Sequence, residues 1–337
     1  MLKTLSNTFG PSGCEDEVRE IIKMNMSALC DEIFEDNMGN LICHKIGRKI
    51  NNKSIMLSAH MDEVGFIISH IDKDGYLKFQ TIGGIDPNVL VSKSIVIGKN
   101  RIKGVIGTKP VHIKNDDRGE IKISDLYVDI GAKSKEDALK YVEKGDYAVF
   151  DSTYREFGNG YIKGKALDDR VGCYIMMKIA EKQIDADIYY TFTVQEEVGC
   201  RGSKITAKVI NPEFAIVIEG TTCSDVPGTS EYGFSTHIGK GPALSMRDGG
   251  AYTDIKLTEE ILAISKCYGI ECQYKQTTMG GNDASSIQIS GKGTKVAAIS
   301  VPCRYIHSQA NVAKKDDIIS LEKILVKFIE SKVKKID

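Results

Sequence analysis

The pattern of apolar residues along the chain changes twice, and these changes limit the folds that the chain can adopt. After about residue 158, short apolar runs alternate with amphipathic segments, as in helix Asp254–Tyr268 and strand Glu271–Gln276. Between residues 68 and 157 the runs are instead short, rich in Ile, Val, Thr and Gly, and separated by turn signals, with one helix at Lys135–Glu143. The first pattern predicts an α/β domain with a largely parallel sheet, and the second predicts a small β-barrel or sandwich.

A discontinuous domain is the simplest organisation that fits these patterns. The apolar run Ser54–Ala59 is typical of a buried strand and belongs by character with the α/β part. We therefore predict one α/β domain, residues 1–67 and 158–337, interrupted by an inserted β-rich domain at residues 68–157. The length of 337 residues fits two domains, because single cores stop growing at about 250–300 residues.

Composition excludes several classes of partner. Lys and Arg number 45 and Asp and Glu 46, a net charge of −1, whereas a nucleic-acid-binding chain needs a basic excess. The apolar runs are too short to span a membrane, and no secretory signal is visible at the start. The nine cysteines are scattered without a C-x-x-C motif and are typical of reduced thiols outside the chemistry. We expect a cytoplasmic protein that binds neither nucleic acid nor membrane.

Imidazole and carboxylate side chains follow several of the predicted strands, and two more carboxylates begin a predicted helix. In an open α/β sheet such positions meet at the carboxyl ends of the strands, where ligands bind. The residues that we expect at this rim are His60, Asp62, Asp168, Asp169, Glu196, Glu197, Glu219 and His307.

Each rim residue also has an ordinary structural interpretation. A lone Glu after a strand is usually a loop charge, and an Asp at a helix start is usually an N-cap. Acids gathered at one rim, however, raise one another's pKa unless a cation offsets their charge. An Asp/Glu/His set without cysteine suits zinc, cobalt or manganese, and its size favours two divalent ions and hydrolysis at a polarised carbonyl or phosphoryl centre. The other histidines fit packed or solvated roles: His44, His70, His112 and His237.

Five motifs, in this order, carry a resemblance to a known family. They are SAHMDEVG at 58–65, GKALDDRVG at 164–172, VQEEVGCRG at 194–202, MGGNDASSI at 279–287 and VPCRYIHS at 301–308. Together they resemble the M42 family of metallo-aminopeptidases, the glutamyl and tetrahedral aminopeptidase group. The resemblance runs almost end to end. It implies a zinc-peptidase-like α/β fold, with a mixed, mostly parallel sheet flanked by helices and an inserted small β-barrel.

The resemblance also implies a role for each candidate residue. Asp62 would orient an imidazole. Glu196 would be the general base, which takes a proton from a metal-bridging water and delivers it to the leaving amine. The implied reaction removes N-terminal residues from short peptides. The implied metal ligands are His60 and Glu219 for one ion, Glu197 and His307 for the second, and Asp168 as the bridge between them.

Two departures from the family pattern leave alternatives open. Glu219 stands where relatives often carry Asp, and Gly280–Ala284 reads GGNDA where GGTDA is common, with Asp283 expected to matter more than Asn282. Because Glu219 blurs the pattern, an N-acyl amino acid deacylase of the same di-metal type is an alternative. A glycosidase is another, since some relatives have carried a cellulase label, but the chain has no Trp to grip a sugar face. An inactive metal-binding scaffold would be expected to have lost Glu196 or a ligand.

The resemblance also implies a role for the insertion. In related enzymes the β-rich domain mediates assembly, and some form dodecameric tetrahedral shells that admit only peptides. We therefore expect a homo-oligomer, with the tetrahedral dodecamer as the hypothesis to test. The preferred N-terminal residue stays open, because the sequence does not place the basic residues Lys240, Arg247 and Arg304 relative to the site.

Overall fold

The computed structural model describes residues 1–110 and 120–334. Within these residues the helices are α1 (Leu2–Asn7), α2 (Asp16–Met26), α3 (Lys135–Ala138), α4 (Leu167–Ala180), α5 (Arg201–Ile210), α6 (Ile255–Cys267), α7 (Ala284–Gln288) and α8 (Lys315–Lys334). The strands are β1 (Glu32–Glu35), β2 (Leu41–Lys45), β3 (Ile55–His60), β4 (Gly65–Ile71), β5 (Leu77–Ile82), β6 (Ser94–Ile97), β7 (Ile102–Gly107), β8 (Tyr127–Asp129), β9 (Tyr147–Phe150), β10 (Arg155–Phe157), β11 (Tyr161–Gly164), β12 (Ile188–Thr193), β13 (Phe214–Thr222), β14 (Ala243–Ser245), β15 (Gln273–Tyr274), β16 (Lys295–Cys303) and β17 (Asn311–Lys314).

The largest sheet has eight strands in the order β1-β2-β12-β3-β13-β16-β14-β15. Its centre is parallel, because β12, β3, β13 and β16 all run in the same direction. Antiparallel pairs flank this centre at β1–β2, β2–β12 and β16–β14. All six residues of β3 are buried, as expected for a parallel strand covered on both faces. The predicted mixed, mostly parallel sheet is confirmed.

Helices cover the sheet and build the main core. Helix α2 buries Val18, Ile22 and Met26, which recur every four residues and so share one face. Helix α8 is amphipathic over 20 residues and packs residues such as Phe328 into the same core. Burial of each large aliphatic or aromatic side chain contributes about 1.5–3 kcal/mol, so the strand ends rest on a rigid base. Across residues 1–110 and 120–334, no helix is long and apolar enough to cross a membrane.

The inserted part folds into a closed barrel with the strand order β4-β5-β8-β7-β6-β9. It has its own apolar core, in which the ring of Phe66 meets those of Phe79 and Phe150 edge-on at 5.3 and 5.2 Å. The predicted small β-barrel is therefore confirmed. The domain limits, 1–67 with 158–337 and 68–157, stay a prediction.

Two predicted elements are shorter in the structure. The helix expected at Lys135–Glu143 is α3 in the structure and ends at Ala138. It begins as predicted, where the Ser134 hydroxyl accepts a hydrogen bond from the backbone N–H of Asp137. The strand expected at Glu271–Gln276 pairs only over Gln273–Tyr274, because β15 lies at the edge of the sheet and bonds to β14 alone. Leu139 and Tyr141, which would continue the helix, are about half exposed and so gain little from burial.

Candidate metal centre

The carboxyl ends of the parallel strands carry most of the candidate residues. His60 is the last residue of β3, and Glu219 lies near the end of β13. Glu196 and Glu197 lie in the turn that begins two residues after β12, and His307 lies in the turn after β16. These strands are neighbours in the sheet, so their ends meet at one edge, as expected for a ligand site in an α/β fold.

Two groups of ligand atoms share one carboxylate. In the first group, His60 Nε2 lies 3.4 Å from Glu219 Oε2 and 3.5 Å from Asp168 Oδ1. In the second, His307 Nε2 lies 3.2 Å from Glu197 Oε2 and 3.6 Å from Asp168 Oδ2. Asp168, at the start of α4, thus directs one oxygen to each group. The structure brings all five predicted ligands together; that they bind metal remains a prediction.

The donor set fits divalent cations. For a tetrahedral zinc ion with bonds of about 2.0–2.1 Å, neighbouring ligand atoms lie about 3.3 Å apart, close to the separations in both groups. Each group can hold one ion, because its ligand atoms all lie within 4.8 Å of one another. Glu219 is 4% exposed, and its buried Oε1 has no hydrogen-bond partner among the described residues. An orphaned buried carboxylate oxygen is costly unless a cation or water satisfies it.

Hydrogen bonds on the far side of each imidazole orient its Nε2 toward the carboxylates. His307 Nδ1 lies 2.7 Å from the carbonyl oxygen of Gly84, to which it can donate. Gly84 follows β5, so the inserted part of the chain helps to position a candidate ligand. His60 Nδ1 lies 3.1 Å from the carbonyl oxygen of Asp62 and 3.4 Å from its Oδ1. Such contacts select the tautomer that leaves Nε2 free to bind metal.

Asp62 has a second function that the sequence did not indicate. Its carboxylate, fully buried, accepts the backbone N–H groups of Glu196 (3.0 Å) and Glu197 (3.1 Å) and the hydroxyl of Ser12 (2.6 Å). Burial works to raise the pKa of Asp62, but His60 and these hydrogen bonds outweigh it and hold that pKa below its usual range. The ionised carboxylate therefore fixes the turn that carries both glutamates.

Glu196 stands apart from both ligand groups. Its Oε2 lies 3.9 Å from His60 Nε2, and its Oε1 accepts a hydrogen bond from the thiol of Cys200 at 3.3 Å. Burial raises the pKa of Glu196 well above its ordinary value, and Glu219 and Glu197 add to the rise against the opposing effect of His60. A carboxyl group with a raised pKa binds a proton more readily than an ordinary Glu, as a general base must.

The candidate ligands shift one another's pKa values, because several ionisable groups are buried together. Burial raises the pKa of Glu219 to about 8, and nearby Asp168 contributes to the rise. For His307 burial opposes the charged form, but Asp168 and Glu197 outweigh it and raise the imidazole pKa to about 11. Without a metal, these groups therefore retain protons that a divalent cation would displace.

Other predicted residues have structural contacts instead. Asp169 accepts the N–H of Gly172 at 3.0 Å and that of His60 at 3.3 Å, so it orders the start of α4 and the end of β3. His44 stacks on Tyr189 with ring centroids 3.9 Å apart, which fits the packed role expected for it. His112 lies outside the described residues.

A cavity of about 350 Å³ opens beside the two groups and gives access to them. Among the described residues that line it, Lys275 is the one Lys or Arg. Its Nζ donates to the carbonyl of Met279 at 2.9 Å, and burial lowers its pKa against the opposing effect of Asp248 and Glu219. The sequence analysis did not predict Lys275, because the residue belongs to none of the motifs and has no distinctive sequence pattern around it. The lining residues are Gly84, Asp168, Glu196, Glu197, Cys200, Glu219, Gly220, Thr221, Thr222, Lys275, Met279, Gly280, Gly281, Ile306 and His307.

Comparison with known proteins adds a family relationship to this geometry. The family model described as M42 glutamyl aminopeptidase matches residues 39–324. The lysyl aminopeptidase of Pyrococcus furiosus is 31% identical over 98% of this chain and 96% of its own length.

Two solved structures with different reported activities are similar to this chain over nearly its whole length. The TET1 peptidase of Pyrococcus horikoshii, described as assembling into a tetrahedron or a large octahedral shell, is 32% identical with a TM-score of 0.86 over 97% of this chain and 98% of its own. A Thermotoga maritima protein described as an endoglucanase is 36% identical with a TM-score of 0.83 over 100% of this chain and 99% of its own.

Proposed function

The chain belongs to the M42 peptidase family, and from that premise we propose that it is a di-metal aminopeptidase acting on short peptides. Family membership itself makes the chain a hydrolytic exopeptidase of the aminopeptidase class. The observation that carries the di-metal proposal is the carboxylate of Asp168, whose two oxygens face two separate His/carboxylate groups at 3.5 and 3.6 Å.

Five side chains would hold the two ions. His60 and Glu219 would hold one, His307 and Glu197 the other, and Asp168 would bridge them, as the ligand groups allow. Zinc or cobalt suits this nitrogen and oxygen set, and manganese is also accommodated by it. Ions bound there supply Lewis acidity toward the scissile carbonyl and lower the pKa of water.

Glu196 is the proposed general base. It lines the cavity, belongs to neither ligand group, and is held in place by the hydrogen bond of its backbone N–H to Asp62. As a water oxygen bonds to the scissile carbonyl carbon, Glu196 accepts the proton that the water loses. It then delivers that proton to the departing amine nitrogen as the C–N bond breaks, so the carboxylate is regenerated in each turnover.

Lys275 favours acidic N-terminal residues among the substrates. The family description names a glutamyl enzyme, whereas the Pyrococcus furiosus relative is named a lysyl enzyme. A cationic Nζ on the cavity wall attracts the carboxylate of a substrate Glu or Asp and repels the ammonium group of Lys. We propose a preference for Glu or Asp over Lys at the N-terminus.

A glycosidase is less well supported, although the similar Thermotoga maritima protein is described as an endoglucanase. Sugar faces are commonly held on aromatic rings, and no Phe, Tyr or Trp is among the described residues that line the cavity. The N-acyl amino acid deacylase shares the same metal ligands and differs in requiring a blocked amine.

The decisive assay is a panel of aminoacyl-p-nitroanilides, measured after chelation and again after metal is restored. We expect hydrolysis of substrates with a free α-amino group, loss of activity on chelation, and recovery with zinc or cobalt. Activity confined to N-acylated substrates would instead identify a deacylase. Chelator-resistant hydrolysis of a glucan would contradict the proposal altogether.

The assembly and location follow from the same family relationship. We propose a homo-oligomer, with the tetrahedral dodecamer as the specific hypothesis, because the TET1 peptidase is described as assembling into a tetrahedron or a large octahedral shell. We also propose a cytoplasmic location, which the nine cysteines support because all are free.

A further inference from the structure

A third group of ligand atoms lies beside the proposed general base. We propose that Glu196, Cys200 and Asp283 form an inhibitory site for a thiophilic divalent cation, Zn²⁺ or Cd²⁺, present in excess over the two ions of the catalytic centre. The inhibitory effect rests on the proposed role of Glu196, whereas the binding of the ion does not.

The three side chains meet at ligand distance. One ligand atom from each lies within 4.8 Å of the other two. The thiol sulfur of Cys200 is 3.3 Å from Glu196 Oε1. In a tetrahedral zinc site with Zn–S of about 2.3 Å and Zn–O of about 2.0 Å, sulfur and oxygen ligands lie about 3.5 Å apart. An ion can therefore replace the present S–H···O hydrogen bond with little movement of either side chain.

Asp283 supplies an independent sign of a cation site. The residue is fully buried, and its Oδ2 accepts the hydroxyl of Thr193 at 2.6 Å. Its Oδ1 is also buried but has no hydrogen-bond partner among the described residues. The hydroxyl of Ser203, which also lies near this carboxylate, donates to the carbonyl of Cys200 at 3.2 Å. A buried carboxylate oxygen left unpaired costs free energy that a cation would recover.

The thiol makes this group different from the two catalytic groups. Thiolate sulfur selects zinc and cadmium over the harder Mn²⁺ and Mg²⁺, which prefer oxygen ligands. When the ion binds, the Cys200 S–H bond breaks, its proton passes to solvent, and the sulfur electron pair forms the bond to the metal. No electron is transferred and no co-reactant is needed.

Occupancy of this site removes the proton acceptor from the reaction. A cation bound to the carboxylate of Glu196 holds the electron pair that would otherwise accept the proton from water. Turnover should therefore fall as zinc is raised beyond the amount that fills the catalytic centre. Excess Mn²⁺ should not have this effect.

Binding is tested on the full-length protein already loaded with its catalytic ions. Equilibrium dialysis against Zn²⁺ should show one further ion per subunit, and Cd²⁺ should add ultraviolet thiolate-to-metal charge-transfer absorption. Cys200→Ala should lose both signals, and Asp283→Asn should weaken the binding by at least about tenfold, since even partners outside the ligand shell change metal affinity about 10–100-fold. Cys267→Ala is the matched control, because Cys267 is an exposed thiol in α6.

Inhibition is measured in parallel, with each variant compared with its own activity before zinc is added in excess. Wild type and Cys267→Ala should lose activity with rising Zn²⁺, whereas Cys200→Ala should resist it. A charge-transfer signal that persists in Cys200→Ala, or no further ion in wild type, would overturn the site. A further ion that leaves turnover unchanged would overturn its inhibitory role. Absence of aminopeptidase activity before excess zinc would refute the proposed function alone, because the spectroscopic test stands without it.

Discussion

Glu196 and Glu197 are adjacent in the chain but have different surroundings. Glu197 faces His307 at 3.2 Å in a ligand group, whereas Glu196 faces the cavity and the thiol of Cys200. We expect Glu196→Gln to keep both ions and to lower kcat by about 10²–10⁴, the usual contribution of a general base. Glu197→Gln is the contrasting variant, because it should lose metal as well as activity.

The measurement joins steady-state kinetics with metal analysis of the purified variants. Near-normal turnover in Glu196→Gln would show that another group accepts the proton. Full metal content in Glu197→Gln would show that Glu197 is not a ligand.

Lys275 leads to a prediction about specificity. Lys275→Glu should lower kcat/KM for a glutamyl substrate and raise it for a lysyl substrate, changing their ratio by at least about tenfold, because one full charge is reversed in a partly buried cavity. The panel of p-nitroanilides measures both substrates. Lys240→Glu is the matched control, since Lys240 is exposed and is not among the described residues that line the cavity. An unchanged ratio in Lys275→Glu would place the specificity elsewhere.

At this scale, the sequence could predict residues that follow strands but not residues brought in by loops. His60 and Glu219 were predictable because each stands at the end of an apolar run. Asp283 was noted only as part of a motif, and its contact with the Cys200–Glu196 pair depends on how α7 packs against α5. Lys275 could not be found at all, since a single Lys near a sheet edge has no distinctive pattern.

Among the elements, the start of α4 depends on one buried cation. Arg170 is fully buried and donates to the carbonyls of Met61 (2.7 Å) and Gly10 (3.3 Å) and to Glu63 (3.3 Å). It thereby joins α4 to the end of β3 and to the segment after α1. Arg170→Met should lower the free energy of unfolding by about 3–5 kcal/mol, because it leaves carbonyls unpaired and removes one partner of a buried carboxylate.

Denaturant unfolding measures this loss, and Arg155→Met provides the control. Arg155 is exposed on β10, so its replacement should change stability by no more than about 0.5 kcal/mol. Equal stability of the two variants would mean that Arg170 does not contribute net stabilisation.

Elements with a strong apolar period were predictable from the sequence, and elements without one were not. Strand β3 and helix α6 bury side chains at their own periods, and both were predicted. Helix α5 was not predicted, because RGSKITAKVI contains β-branched residues and leaves Ile205 and Val209 exposed. Its formation depends on packing against β12 and α7, which is a tertiary effect.

For the whole molecule, the barrel links two of the proposals. The loop that follows β5 of the barrel places the carbonyl of Gly84 against His307, so a variant that disturbs the barrel should disturb the proposed metal centre as well. We expect the metal-loaded protein to scatter light as a large homo-oligomer with a mass near that of twelve subunits. A stable monomer in the presence of metal would contradict the shell hypothesis without affecting the proposed chemistry.

The proposed metal centre predicts a linkage between pH and metal affinity. In the metal-free protein, Asp168 and Glu197 overcome burial and raise the pKa of His307 to about 11, and burial raises that of Glu219 to about 8. At pH 7 both groups therefore carry protons that a divalent cation must displace, so binding should release protons and weaken as the pH falls. Calorimetric titration with zinc in buffers of different ionisation enthalpy measures the number released. A binding enthalpy that is the same in every buffer would mean that no protons are released, so that the ligands are already deprotonated before the metal binds.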